Sequence, residues 1–346
     1  MKRSLVLSAW CLVRPWSVVP SGPRTKGLRT PDGPRTKDGP STKHQALRTT
    51  FAAVAIAAAA TLGVARAQTP VSGALARIAD AGRIRMGYRV DASPFSYRDD
   101  AGGPAGYSIA LCQTIADAIK EELRLPKLTL EWVPVTAPDR FEAVRQRTID
   151  ILCGADSVSF SRRKQVAFSI PIFPGGIGVL LRSDAPQRLK NVLSGKGQPA
   201  HPIWRASASE VLQFKAFATV ASTTSEAWLR DRITDLKIVT TATAVPTYDA
   251  GVNAVVQRRV DALFGERAIL LDLSRRRSDV VVLDRLFTHE PLALALPAGD
   301  DAFRLIVDRT LAQAYANSPF SGFYAKWFGE PDENTLTFFR WNAIPD

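Results

Sequence analysis

The chain has 346 residues, 46% of them hydrophobic and 8% aromatic, a globular composition on a length that exceeds one typical core. Its formal charge of +12 points at first to a polyanionic partner, but the excess is local. Residues 1–67 hold 11 of the 45 Lys and Arg and only Asp32 and Asp38 of the 33 acids, which leaves 34 basic against 31 acidic residues beyond them. The folded part therefore lacks the basic stripe that nucleic-acid binding needs.

Within the leader, Phe51–Val64 (FAAVAIAAAATLGV) is apolar, follows Lys43 and Arg48, and ends in Ala65-Arg66-Ala67. That small-x-small pattern predicts a secretory signal cut between Ala67 and Gln68. At about 14 residues the run is shorter than the roughly 20 that span a bilayer as a helix, so an anchor is the alternative reading. Gln68 in place of Cys gives no lipidation site, and no later stretch is long and apolar enough to span, so a soluble exported product is expected. Upstream, Gly22-Pro-Arg-Thr-Lys recurs as Gly33-Pro-Arg-Thr-Lys in a tract that cannot build a core. The only methionines are Met1 and Met86, so a shorter translation start would use another codon.

From Arg83 the chain alternates strand-like and helix-like segments, the pattern of an α/β fold. Arg83–Arg89 reads as a strand and Tyr107–Leu123 as a helix, with Ser108 as N-cap and Ile109, Cys112, Ile115, Ala116 and Ile119 along one face. Leu128–Val133 is a strand, Asp139–Gln146 a short helix and Ile149–Cys153 a buried strand. Each turn leaving a strand falls near one sheet edge, where open α/β sheets place ligands. Ser169–Gly176 (SIPIFPGG) precedes the apolar strand Ile177–Leu181 and reads as a crossing between two lobes. A second crossing is expected near Thr288–Pro291, before Leu292–Leu296, and Phe303–Tyr315 is an amphipathic helix on the return. The expected organisation is a leader over residues 1–67, a first lobe over 68–172 and 292–346, and a second lobe over 173–291. Export permits a disulfide between Cys112 and Cys153. Because one falls on an apolar helix face and the other in a buried strand, two separate core thiols are expected.

Four stretches carry polar residues suited to a site: Tyr88–Tyr97 (YRVDASPFSY), Pro134–Arg140 (PVTAPDR), Cys153–Ser169 (CGADSVSFSRRKQVAFS) and Ser222–Glu226 (STTSE). With GYSIALC, WVPVT, IDILCG and a late YAKWFG, in this order from about Leu75 to Trp327, the chain resembles the periplasmic amino-acid-binding proteins of bacterial ABC importers, extracellular solute-binding protein family 3. Within that family it looks closest to the glutamate/aspartate-binding branch. The resemblance implies a two-lobed periplasmic-binding-protein fold, each lobe a mixed sheet flanked by helices, joined by two hinge strands. It further implies a periplasmic monomer that captures an amino acid and delivers it to an inner-membrane permease, with no cofactor or metal.

By this resemblance Arg162 binds the ligand's α-carboxylate, a role that suits a guanidinium fork; a solvated Arg beside Arg163 is the bland alternative. Ser157 matches a ligand-contacting hydroxyl, while Ala155 replaces a Ser of the branch. Two-residue alternation predicts that Asp156 faces away from the ligand; turned inward, it would favour a cationic ligand. Glu266 falls where the family has an Asp for the α-ammonium, with a salt bridge to Arg267 or Arg259 as the alternative. Thr223, Thr224 and Ser225 resemble the second-lobe loop that meets the carboxylate at a helix N-terminus. Arg89 and Arg140 match arginines near the ligand's side-chain carboxylate, against pairing with Asp91 or Asp139, and Ala137 replaces a branch Ser. Tyr248 matches a His of the branch. Phe95, Trp132 and Trp327 read as core. About 17 residues around Gly197–Phe214 are an insertion relative to the family, a surface excursion in which Trp204 would be a docking aromatic.

Beyond the leader only His201 and His289 occur, and no His-x-x-x-His, Cys-x-x-Cys, Gly-x-Ser-x-Gly or phosphate-cradling glycine pattern is found. Neither catalysis nor a metal or nucleotide is indicated. The competing functions are a prephenate or arogenate dehydratase, which would ask a cleft carboxylic acid such as Glu266 or Asp156 to act, and a sensory ligand-binding subunit.

Overall fold

A computed structural model describes residues 73–196 and 208–345. The expected signal peptide and cleavage point, the repeat in the leader and Trp204 lie outside them. In chain order, helix α1 (Gly73–Ala81) leads to β1 (Arg83–Arg89), a small antiparallel sheet of β2 (Asp91–Ala92), β3 (Ser96–Arg98) and β4 (Pro104–Ala105), then α2 (Tyr107–Glu122) and β5 (Thr129–Val135). Next come α3 (Arg140–Arg145), β6 (Ile151–Ser157), α4 (Phe160–Arg163), β7 (Ala167–Phe168), β8 (Phe173–Gly175) and β9 (Ile177–Arg182). They are followed by α5 (Gln187–Leu193), α6 (Ala208–Leu212), β10 (Ala216–Val220), α7 (Thr224–Leu236), β11 (Thr241–Val245) and α8 (Tyr248–Val256). The chain ends through β12 (Ala262–Glu266), α9 (Arg267–Arg275), β13 (Val280–Val282), β14 (Glu290–Leu296), α10 (Asp301–Ala316), α11 (Phe320–Phe328) and α12 (Glu333–Asn342).

The two main sheets share one plan. In the first, β5, β1 and β6 run parallel and β14 lies antiparallel beside β6; in the second, β11, β10 and β12 run parallel and β9 lies antiparallel beside β12. Parallel strands need crossover helices, and α2 and α3 supply them in the first sheet as α7 and α8 do in the second. Residues 151–153, 179–181 and 292–296 are continuously apolar and buried, as strands covered on both faces must be.

The chain leaves the first sheet through β8 and returns through β14, which pair antiparallel with Gly175 opposite Glu290. The join is close. A Cβ on Gly176 would stand 2.1 Å from the Thr288 carbonyl oxygen, and one on Gly175 would meet Leu292 and the Glu266 carboxylate. Only glycine fits there. On the first-sheet side the entry is anchored by two buried tyrosines, Tyr107 donating to the Ile172 carbonyl at 2.9 Å and Tyr315 to that of Pro171 at 3.0 Å. Around them Phe95, Phe173, Tyr324 and Phe328 pack with centroids about 5 Å apart.

Three local expectations are corrected. The α2 N-cap is Gly106, not Ser108, because at φ 130° its Cβ would lie 2.2 Å from the Phe95 carbonyl oxygen; Ser108 starts inside the helix and is buried. Cys112 and Cys153 are not separate thiols but a disulfide, the apolar face of α2 being pressed on β6 with 6.1 Å between their Cα atoms. Strand β6 runs on to Ser157, past its expected end at Cys153. Of the insertion, the described part forms α6 and an exposed Phe214. Phe95 is fully buried, and Trp132 and Trp327 are partly buried against the core. Among the described residues no helix is long and apolar enough to cross a membrane.

The disulfide closes a loop of 41 residues, for which loop-closure entropy gives about 4 kcal/mol of stabilisation. Replacing both cysteines by alanine is expected to lower unfolding free energy in urea by that order; an unchanged midpoint would show the cross-link contributes nothing.

Candidate functional site

In both sheets the carboxyl ends of the parallel strands point at one interlobe cleft, the place where open α/β sheets collect ligand groups. Arg89 ends β1, Arg140 opens the helix after β5, and Ser157 and Arg162 lie at and just after the end of β6. From the second sheet, Thr223 and Thr224 follow β10, Tyr248 follows β11 and Glu266 ends β12. All eight predicted residues line the same cleft, with Ala92, Ala155, Asp156, Ile177, Ser225, Ile269 and Glu290. The space left between them is about 30 Å³. A larger cavity of about 360 Å³ lies elsewhere in the second lobe, under Trp228 and Phe264, and contains none of them.

Arg162 is held from both ends of its own segment. Its backbone N–H donates to the Ser159 cap of α4, and its Nη1 donates to the Ser157 carbonyl at 2.7 Å. Nη2 reaches across the cleft to the Ser222 carbonyl at 3.4 Å. Burial, and then the neighbouring Arg140 charge, push its pKa down to about 10, while Asp156, Glu290 and Tyr248 oppose the fall. It stays cationic at neutral pH. No carboxylate pairs with it among the described residues.

Arg140 is 2% exposed and differently engaged. Its Nε donates to Asp156 Oδ1 at 2.5 Å, Nη1 to the Ala137 carbonyl, and Nη2 to the Ser222 carbonyl at 3.1 Å. Both guanidiniums also stand over the Phe141 ring. Its partner is thus Asp156 rather than Asp139, whose carboxylate takes the Thr136 hydroxyl. Asp156 turns into the cleft, against the expected alternation. The register of β6 with β14 shifts between Ala293 and Ala295, so strict two-residue alternation fails along this stretch. Arg89 pairs with Asp91, Nε to Oδ1 at 2.8 Å.

Across the cleft, Ser222 sits at φ +59° and its N–H donates to Glu226, which frees its carbonyl to face the two arginines. Thr223 caps α7 and spends its hydroxyl on the Val220 carbonyl. Thr224 Oγ1 stands 3.2 Å from Ser157 Oγ and donates to Glu290 Oε2 at 2.7 Å. Glu290 is the cleft residue that sequence reading missed. It lay inside the predicted second crossing, where a carboxylate was the available signal.

Glu266 makes no salt bridge to Arg267 or Arg259; Arg267 pairs with Asp284 instead. Its Oε2 accepts from Gly176 N–H at 3.0 Å and its Oε1 from Ala268 N–H at 3.3 Å. Burial dominates those bonds and raises its pKa from 4.5 to about 8, with Glu290 adding to the rise. The Tyr248 hydroxyl, itself pushed up by burial, accepts from the Glu266 N–H at 3.4 Å. Among the described residues no group of three or more His, Cys, Asp or Glu is arranged to hold a metal.

This arrangement places a buried cation opposite a helix N-terminus with carboxylates beside both, which is the chemistry of a zwitterion. Residues 84–330 match the model of the bacterial extracellular solute-binding proteins, family 3, and the chain belongs to that family. It is 29% identical over 265 residues to the L-glutamate/L-aspartate-binding protein of Pseudomonas aeruginosa, covering 75% of this chain and 82% of that one. It is 29% identical over 273 residues to the glutamate/aspartate import solute-binding protein of Salmonella typhimurium, covering 78% and 85%. Among solved structures it is similar to an ancestral amino acid-binding protein described as a precursor of cyclohexadienyl dehydratase, with TM-score 0.61 and 24% identity over 74% of this chain and 100% of that one. These likenesses fix the fold as two-lobed.

The Glu266 carboxyl binds its proton more tightly folded than unfolded, so its contribution to stability is fully present below about pH 4.5 and is lost as pH rises through about 8. The slope approaches at most about 1.4 kcal/mol per pH unit. Thermal melts of Glu266→Gln are expected to gain on the parent protein steadily between those limits, and a pH-independent difference would contradict the assignment.

Proposed function

We propose that this chain is the periplasmic capture component of an amino-acid ABC importer, released from its leader near Ala67, and that it closes two lobes on an acidic or polar amino acid. The Pseudomonas and Salmonella relatives, named for glutamate and aspartate, support the class of ligand. The observation that carries the reading is Arg162, a buried guanidinium without a carboxylate partner, facing the amino end of α7 across the cleft. A ligand α-carboxylate would take Arg162 from one side and the Thr223–Ser225 turn from the other. Its ammonium would meet the Glu290 carboxylate, with the Glu266 carboxyl beside it. Ser157 and Thr224 sit at the seam, Tyr248 walls one side, and Arg89 and Arg140 stand toward the ligand's side chain. The closed monomer would then be read by a membrane permease.

Calorimetry of the purified protein against the amino acids is expected to give at least one ligand tighter than about 100 μM, or about 5.5 kcal/mol. Arg162→Ala is expected to weaken it at least thirtyfold, from the roughly 2 kcal/mol lower bound for truncating one side of a buried charged pair. Undiminished binding would remove Arg162 from the site.

The raised pKa of Glu266 meets one requirement of a dehydratase, but both its oxygens are engaged by backbone N–H groups of the hinge and α9. Incubation with prephenate or arogenate is expected to release neither phenylpyruvate nor phenylalanine. Turnover abolished by Glu266→Gln would instead establish the enzyme.

A further inference from the structure

Which side chain the cleft accepts depends on what its other two guanidiniums are free to do, and each already holds a carboxylate. Arg140 spends Nε on Asp156 and its remaining nitrogens on the Ala137 and Ser222 carbonyls. Arg89 is paired with Asp91. A ligand bearing a side-chain carboxylate would therefore meet two arginines that already hold a carboxylate each. Its own charge would be buried with no cation left to compensate it, since Arg162 is needed for the α-carboxylate.

The unsatisfied groups at this end of the cleft are two acceptors and one donor, Arg89 Nη2, which lies 2.6 Å from Asp91 Oδ1 but is buried without a hydrogen bond. Asp156 is 5% exposed, and its Oδ2 is buried with no hydrogen-bond partner; the same holds for Asp91 Oδ2. A buried acceptor left empty costs free energy that a donor brought by a ligand would recover. A second carboxylate brings no donor. A cationic side chain brings one, but it would be added beside two guanidiniums whose carboxylates are already shared. The walls between the polar groups are small or apolar, from Ala92, Ala155, Ile177 and Ile269.

The group that meets these demands is a neutral carboxamide, with N–H to give to Asp156 Oδ2 and a carbonyl to receive from Arg89 Nη2. We propose that the cleft selects an amino acid with a side-chain carboxamide, glutamine or asparagine, over its acidic counterpart, and that Asp156 makes the selection by occupying Arg140 and presenting the free acceptor. This rests on the reading of the protein as an amino-acid binder. It separates the chain from the relatives named for glutamate and aspartate.

Calorimetry with glutamine, asparagine, glutamate, aspartate, lysine and arginine at neutral pH tests it. At least one amide is expected to bind about tenfold or more tighter than its acid. An acid binding as tightly as its amide, or lysine or arginine binding tightest, overturns the selection while leaving amino-acid capture standing. Absence of binding by any amino acid overturns capture itself, and the selection with it. Asp156→Ala, checked for folding by circular dichroism, is expected to shift the amide-to-acid affinity ratio at least about tenfold toward the acid, because Arg140 is released. An unchanged ratio removes Asp156 as the determinant. Should the variant fail to fold, the comparison of ligands on the parent protein decides alone.

Discussion

One carbonyl oxygen, that of Ser222, receives both Arg140 and Arg162 from the opposite lobe. Burial strips water from the Arg162 charge and the nearby Arg140 guanidinium repels it, which is why the Arg162 pKa falls. The two guanidiniums are tolerated because Asp156 neutralises one and backbone carbonyls take the hydrogens of the other. The positive φ of Ser222 and the Glu226 carboxylate on its N–H hold the carbonyl toward them. This shared contact joins the two lobes across the roughly 30 Å³ left in the cleft, beside the one between Ser157 and Thr224.

The placement of the site follows from the plan of the sheets rather than from any one loop. Each parallel strand delivers one or two polar residues at its carboxyl end, and each turn is short enough to keep them there. Strands β8 and β14, paired antiparallel, connect the lobes instead. Their junction at Gly175 and Gly176 brings the Glu266 carboxylate against the crossing, so a cleft residue is bonded directly to a backbone N–H of the hinge. Two tyrosine hydroxyls and an aromatic cluster fix the first-lobe side, so rotation between lobes has to be taken up close to those glycines.

Much of this was legible in the sequence. Apolar runs ending in polar residues locate the strand ends, and the family resemblance points to Arg89, Arg140, Ser157, Arg162, Thr223, Thr224, Tyr248 and Glu266, all of which line the cleft. What was not legible depends on contacts between distant segments. Burial of Cys112 and Cys153 is a periodicity signal, but their pairing depends on how α2 lies against β6. The inward turn of Asp156 reflects a register shift against a strand more than 130 residues away. The demand for glycine at position 106 comes from the approach of the Phe95 carbonyl, which no local pattern records. Glu290 was hidden because its segment read only as a connection.

The same shared carbonyl makes the two arginines unequal toward a ligand. To engage Arg162, a carboxylate displaces the neutral Ser222 oxygen, so a full ion pair replaces a bond to an uncharged acceptor. To engage Arg140 it would have to displace Asp156, itself a carboxylate at 2.5 Å, with no gain in bond type and one charge left unpaired. A ligand shifts the balance between open and closed lobes only by what it adds over contacts the protein already makes, among them Ser157 with Thr224 and Thr224 with Glu290. The gain from charge is thus concentrated at Arg162, where every amino acid presents the same group. At Arg140 and Arg89, each already paired with a carboxylate, hydrogen bonds rather than charge are what a side chain can add.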